Sequence, residues 1–305
     1  MSHDGQGADA TGIDIPIPAC PAVLLDLRSE IAKDAPDHNR IARLVGSDAA
    51  LGVGVLRAVN SPLYGLTRKV ESIGQAVTII GLQRLGTLLT AVLLRQALAV
   101  KGIDLEAFWQ VSARRAFAMK SLATRLRCAE PEAAYTTGLV CDIGIPLLLR
   151  RYPDYADCLQ LAKDMDVGIP ALARQFPNYA DLLTAGAEDA SRAFTEIEFA
   201  RYGIDHATLG ARMARTWGLS ATLCDALRHH HDHAVFGDGS LPDTVRALVA
   251  IGFVAEFAIQ RSRGIADTAE WTRAGESALA VLGWSAQEMS DWQDDIAEAL
   301  AGAAP

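Results

Sequence analysis

The chain has 305 residues, half of them hydrophobic, enough to bury a sizeable core in one large domain or in two closely packed helical halves. A formal net charge of −9 argues against general nucleic-acid binding. The longest run free of Asp, Glu, Lys and Arg, Ser72 to Gln83, has twelve residues, short of the roughly 18 that a membrane span needs.

In chain order, residues 1–12 are polar, Gly-rich and acidic, and read as a disordered tail and not as a secretory signal. IPIPACP (15–21) is an extended lead-in, and Pro21 suits the first turn of a helix through about Ala32. A short helix follows over His38 to Val45. Asp48 to Val59 is a helix with its apolar residues on one face, stopped at Asn60-Ser61-Pro62, because Pro62 removes an N–H and pushes Ser61 out of the helical region. After a loop carrying Arg68 and Lys69, Ser72 opens the next helix with Gln75 at capping-box spacing. Gly81 interrupts, and Leu82, Leu85, Leu89 and Val92 mark a long helix.

Asp104 caps a helix from Leu105 to Arg127, and Glu130-Pro131 opens another that reaches TTGLVCDIG (136–144). YPDYADCL (152–159) and FPNYADLL (176–183) resemble each other, but a pattern seen twice supports similar helix openings and not a solenoid. Helices follow over Asp189 to Tyr202, 206–219 after the cap Asp205, and 224–231 after Ser220. A Gly- and Pro-containing loop (232–243) precedes an apolar helix over Thr244 to Arg263. Two acidic helices, about 269–282 and 286–300, read as an appendage on the main body. Strand patterns are absent.

Charge is uneven: ten Lys/Arg against six Asp/Glu from Cys20 to Lys101, but one Arg against eight acids from Ile265 to Pro305. Ordinary solvated faces explain this, as would self-association or an acidic face for a basic partner. The cysteines Cys20, Cys128, Cys141, Cys158 and Cys224 include no CxxC pair and fit free thiols in a reducing, cytoplasmic setting.

The stretch Leu56-Arg57-x-x-Asn60-Ser61-Pro62-x-Tyr64-Gly65, the Ser72-x-x-Gln75-Ala76 step, and the turn into a Leu-rich helix together resemble the HDOD ("HD-related output domain") family of bacterial signalling proteins. The resemblance covers roughly Ile15 to Asp232. It implies an all-α, multi-helix HD-like bundle in two packed halves, with a domain over 13–235 and C-terminal helices over 236–305 packing on or extending it. It also implies a regulatory role, without implying a reaction.

The related HD phosphohydrolases hold one or two divalent metals through a His, an adjacent His-Asp pair and a later Asp, which activate water and neutralise a phosphoryl group. By the resemblance, the adjacent pair falls on Cys141-Asp142, so the imidazole is lost. The first His falls near Ser112, a poor ligand, and the later Asp falls at Gly252-Phe253. Asp142, His206, His230 and His231 remain as pocket-lining or single-metal candidates, with Cys141 able to favour zinc. The null alternative for the His cluster is a helix end whose dipole favours cationic imidazoles. For Asn60 and Ser61 it is service to the local backbone, against a cleft lined by Arg57 and Asn60. No phosphate-binding loop, nucleophile elbow or HExxH motif occurs.

The expectation is therefore a non-enzymatic signalling module without a cofactor or metal, acting by binding. A basic face near Arg40, Arg43, Arg68 and Lys69 would dock a protein partner of a signalling pathway. A nucleotide is a second candidate ligand; DNA and membrane are not expected. The competing expectation is a residual metal-dependent phosphohydrolase using Asp142, His206 and His230 or His231.

Overall fold

A computed structural model describes residues 15–61, 66–156, 193–237, 239–262 and 268–302. Both Tyr-Ala-Asp segments lie partly or wholly outside these residues, as do Pro62, Tyr64 and the first twelve residues. The fold is all-α. Among the described residues there is no strand, and one isolated bridge joins Val100 to Ile103.

The helices are α1 (Ala22–Ile31), α2 (His38–Gly46), α3 (Ala49–Val59), α4 (Ile73–Ile80), α5 (Leu82–Ala97), α6 (Glu106–Leu126), α7 (Pro131–Val140) and α8 (Gly144–Arg151). They continue with α9 (Phe194–Tyr202), α10 (His206–Thr216), α11 (Ala221–His229), a 3-10 turn (His233–Phe236), α12 (Asp243–Ser262), α13 (Ala269–Leu282) and α14 (Ala286–Gly302). Their starts follow from side chains that satisfy otherwise orphaned N–H groups. Asp37, Asp48, Ser72, Glu130, Asp205, Ser220 and Thr268 all accept from the first turn of the helix they precede. Ser72 Oγ accepts from Gln75 N at 3.2 Å, and Gln75 Oε1 reaches back past the cap to accept from Glu71 N at 2.8 Å, one residue short of a reciprocal capping box.

Two hydrophobic clusters divide the molecule. The first joins the lead-in, α1–α5, α8, α10 and the start of α6, with Leu24, Ile41, Val55, Leu89 and Trp217 almost fully buried. Trp217 anchors the lead-in by donating to the Pro18 carbonyl at 2.9 Å. The second cluster joins the far half of α6 to α12, α13 and α14 through Met119, Leu122, Ile251, Val254, Ala278 and Trp292. The last two helices pack on the main body. They close a core that α6 opens, and Trp292 donates to Ser121 Oγ at 3.1 Å.

Residues Pro131–Arg151 are long and apolar enough to cross a bilayer by composition, but 83% of that window is buried inside the protein. The apolarity serves the core, and a three-residue turn at 141–143 divides the stretch into α7 and α8. Two glycines allow the close approach this needs. A Cβ at Gly138 would fall 2.8 Å from Ala116 Cα on α6, and one at Gly144 would fall 2.0 Å from the His206 carbonyl oxygen on α10. The turn carrying Cys141 and Asp142 is therefore pressed between α6 and α10.

Candidate functional site

Asp142, His206, His230 and His231 meet where α7, α10 and α11 converge, and their donor atoms all lie within 4.8 Å of one another. His206 is the first residue of α10 and is fully buried. Its Nδ1 lies 2.6 Å from Glu198 Oε2, and the same oxygen accepts from its backbone N–H at 2.9 Å. The other Glu198 oxygen accepts from the Tyr155 hydroxyl. Glu198 accepts at both oxygens, so Nδ1 of His206 carries the proton and Nε2 points inward.

His230 is arranged the same way. Its Nδ1 lies 2.6 Å from the Leu227 carbonyl, which can only accept, so its Nε2 also turns inward. The two Nε2 atoms are 3.3 Å apart, and Asp142 Oδ1 lies 3.3 Å from that of His230 and 3.6 Å from that of His206. Three electron pairs thus converge on one point, an arrangement that repels itself unless a cation sits among them. Burial alone would pull the His206 pKa down, but Glu198, and then Asp142 and Asp205, outweigh it and bring it to about 9. A proton is therefore one way to supply that charge. His231 lies the other way: burial, and then the neighbouring His230 and His206, hold it well below the ordinary imidazole range.

The other oxygen of Asp142 faces elsewhere. Oδ2 accepts from Arg115 at 2.6 Å, and the guanidinium also touches Cys141 Sγ and lies 3.7 Å from Glu256 Oε1. Burial opposes charge on both partners, yet the pair prevails. Arg115, with smaller help from His230 and His206, holds the Asp142 carboxyl well below its usual range. Asp142, with help from Glu256, keeps Arg115 charged. The Cys141 thiol is driven by burial up to about 12, against the pull of Arg115, so it stays protonated. It contributes packing and not a thiolate ligand.

The donor set suits a borderline divalent metal. Three imidazoles and a carboxylate are ordinary ligands for such ions, and a carboxylate or carbonyl on the outer nitrogen is how ligating histidines are usually oriented. Asp142 Oδ1 with His206, His230 and His231 would hold the ion, which would supply the positive charge on which the lone pairs converge.

Ser112 plays no such part: its hydroxyl donates to Phe108 O at 3.0 Å on its own helix. Phe253 lies in an aromatic group, 4.5 Å from the His233 ring and 5.6 Å from the Trp271 ring between centroids. A cavity of ≈ 30 Å³, bordered by Arg115, Cys141, His230, His231, Glu256 and Trp271, adjoins the site. It has room for about two waters.

Asn60 and Gln75 lie away from this site. The Asn60 side chain donates to Leu56 O and Val70 O, both at 2.8 Å, and accepts from Val70 N at 2.7 Å, tying both ends of the 61–69 loop together. Ser61 donates its backbone N–H to Ala58 O at 3.1 Å. Arg57 is exposed. Arg40 and Arg43 pair with Glu30 and Asp37 at 3.0 and 3.9 Å.

Arg115, Glu198 and Glu256 were not among the residues singled out from sequence. Arg115 had a signal, since it lies on the stripe Phe108, Ser112, Met119 and Leu122, the face that α6 buries. Glu256 falls one turn after Gly252. Glu198 carries no such mark in FTEIEFARY.

Residues 17–164 and 165–233 match the HDOD domain model. Solved structures of the same fold include an HDOD domain protein of unknown function from Geobacter sulfurreducens, 20% identical, covering 96% of this chain and 94% of that one with a TM-score of 0.64. A candidate phosphohydrolase from Shewanella amazonensis SB2B is 21% identical, with 94% and 95% covered and a TM-score of 0.62. A candidate signal transduction protein from Marinobacter aquaeolei VT8 is 16% identical, with 94% and 58% covered and a TM-score of 0.65. A curated relative, an uncharacterised protein of Treponema pallidum (strain Nichols), is 24% identical over 217 residues. That match spans 71% of this chain and 38% of the relative's length.

Proposed function

The chain belongs to the HDOD family, and on that premise we propose that it is a bacterial signal-transduction module that regulates by binding and not by turnover. The observation that carries this reading is the state of Asp142. It is the one acid left from the adjacent pair, it is 5% exposed, and one of its oxygens is bound to Arg115. A phosphohydrolase needs that carboxylate on a metal beside an open position that a phosphate ester can reach. Here the adjoining space holds about two waters. Recognition then falls to the surface. The exposed basic residues Arg57, Arg68 and Lys69 favour a protein partner in a cytoplasmic pathway, because the cavity beside Asp142 is small for a nucleotide.

The test is phosphomonoesterase and phosphodiesterase assay of the full chain with nitrophenyl phosphate esters and nucleotides, after loading with zinc, manganese or iron. The expected result is no turnover above that of Asp142→Asn. Turnover that disappears in Asp142→Asn would overturn the reading.

The second reading, a residual metal-dependent phosphohydrolase, is favoured by one observation: four metal-competent donors within 4.8 Å of one another.

A further inference from the structure

We infer that Arg115 is a built-in second cation: its guanidinium stands where a second metal ion would share Asp142, so the site takes one divalent transition-metal ion and no more. The inference holds whether or not the site turns over a substrate.

Asp142 presents its two oxygens to two different positions. Oδ1 faces the inward nitrogens of His230 and His206 at 3.3 and 3.6 Å. Oδ2 faces Arg115 at 2.6 Å. A carboxylate with each oxygen on a separate cation is how a two-metal site is bridged. In this chain one of those cations is covalently part of α6. The contacts support the same division, since the guanidinium also meets Cys141 and Glu256, while Asp142 and the three histidines offer donors within 4.8 Å of one another.

Charge points the same way: the guanidinium already pairs with Asp142 Oδ2 at 2.6 Å, so a second divalent ion on that oxygen would meet a fixed positive charge. Four protein donors also equal the number that a closed zinc site uses. Zinc is therefore the favoured occupant, with cobalt(II) a close chemical mimic. A site closed in this way holds α7, α10 and α11 together.

The test is metal stoichiometry and not activity. The full chain is stripped with chelator, titrated with zinc(II) and with cobalt(II) alone, and measured by elemental analysis and the visible cobalt spectrum. Wild type is expected to bind one equivalent, with a spectrum lacking thiolate charge transfer. His230→Ala should bind at least about tenfold more weakly, since even the loss of a supporting outer contact costs that much. Arg115→Lys, which keeps a cation, should stay at one equivalent. Arg115→His, which replaces the cation with an imidazole beside Asp142 Oδ2 and Glu256, should bind two. Wild type binding two equivalents, or none, overturns the inference without any variant. So does a folded Arg115→His protein that remains at one.

Discussion

Replacing Glu198 by Gln in the metal-stripped protein tests the electrostatic account of the site most directly. The carboxylate accepts from the backbone N–H of His206 at 2.9 Å, from its Nδ1 at 2.6 Å and from the Tyr155 hydroxyl. A glutamine keeps one acceptor oxygen and turns an NH2 group toward at least one of these buried donors. Hydrogen bonds to a charged group contribute about 1.5–3 kcal/mol, and a buried donor left facing another donor costs more than the bond alone. The expected loss is about 2–5 kcal/mol near neutral pH, or about 5–15 °C in Tm for a chain of this size.

The pH dependence separates charge from packing. His206 is raised from its ordinary 6.5 to about 9, so the folded state binds its proton more tightly than the unfolded state does. That contribution, about 3 kcal/mol for such a rise, is fully present below pH 6.5 and lost as pH climbs through 9. Glu198 supplies its largest favourable share. The stability gap between wild type and Glu198→Gln, from urea melts between pH 6 and 10, should therefore be widest near pH 6 and narrow towards pH 10. A gap that stays constant across this range would refute the argument that Glu198 acts by stabilising the His206 imidazolium.

Asn60→Ala should cost about 2–3 kcal/mol by urea denaturation, because the Val70 N–H and the Leu56 and Val70 carbonyls lose a shared partner. Asn60→Asp should be no milder, since its second oxygen would face two carbonyls; a near-neutral Asp variant would contradict this geometry. Gly144→Ala should destabilise by about 3 kcal/mol or more, because its Cβ would fall 2.0 Å from the His206 carbonyl and force α8 from α10. A guanidinium midpoint shifted by less than about 0.5 kcal/mol equivalent would speak against that contact. Cys141, buried and with its thiol held at about 12, should alkylate at pH 8 well after the part-buried Cys20 and Cys128. Peptide mass spectrometry reads the order, and early modification of Cys141 would undo the assignment.

Most of the helical framework was legible because its punctuation is local. Asp48, Ser72, Glu130, Asp205 and Ser220 each fix a helix start through bonds to residues two or three positions on, and periodicity gives the buried faces. The site where the C-terminal helices dock was not legible, because sequence shows that a helix is amphipathic but not which neighbour its apolar side meets. The histidines were readable only through resemblance, since residues 142, 206 and 230 are brought together by contacts such as Gly144 against His206 that no local pattern encodes. Arg115 was overlooked because attention went to the residue type a metal site would need at that point in α6. An arginine on a buried stripe was itself the clue, as it demands a buried acid in return.

The way α6 is shared between the two cores bears on what counts as an independent folding unit. The helix is about 31 Å long at 1.5 Å per residue. Phe108, Trp109 and Ala116 are buried in the first core, and Ala118, Met119, Leu122 and Ala123 in the second. The match to the family model stops at residue 233, before α12, α13 and α14, which complete the second group. A chain cut there would carry a greasy half-helix into water and should self-associate or melt early. The segment that the family model matches is thus shorter than the smallest piece of this protein that keeps its own interior dry.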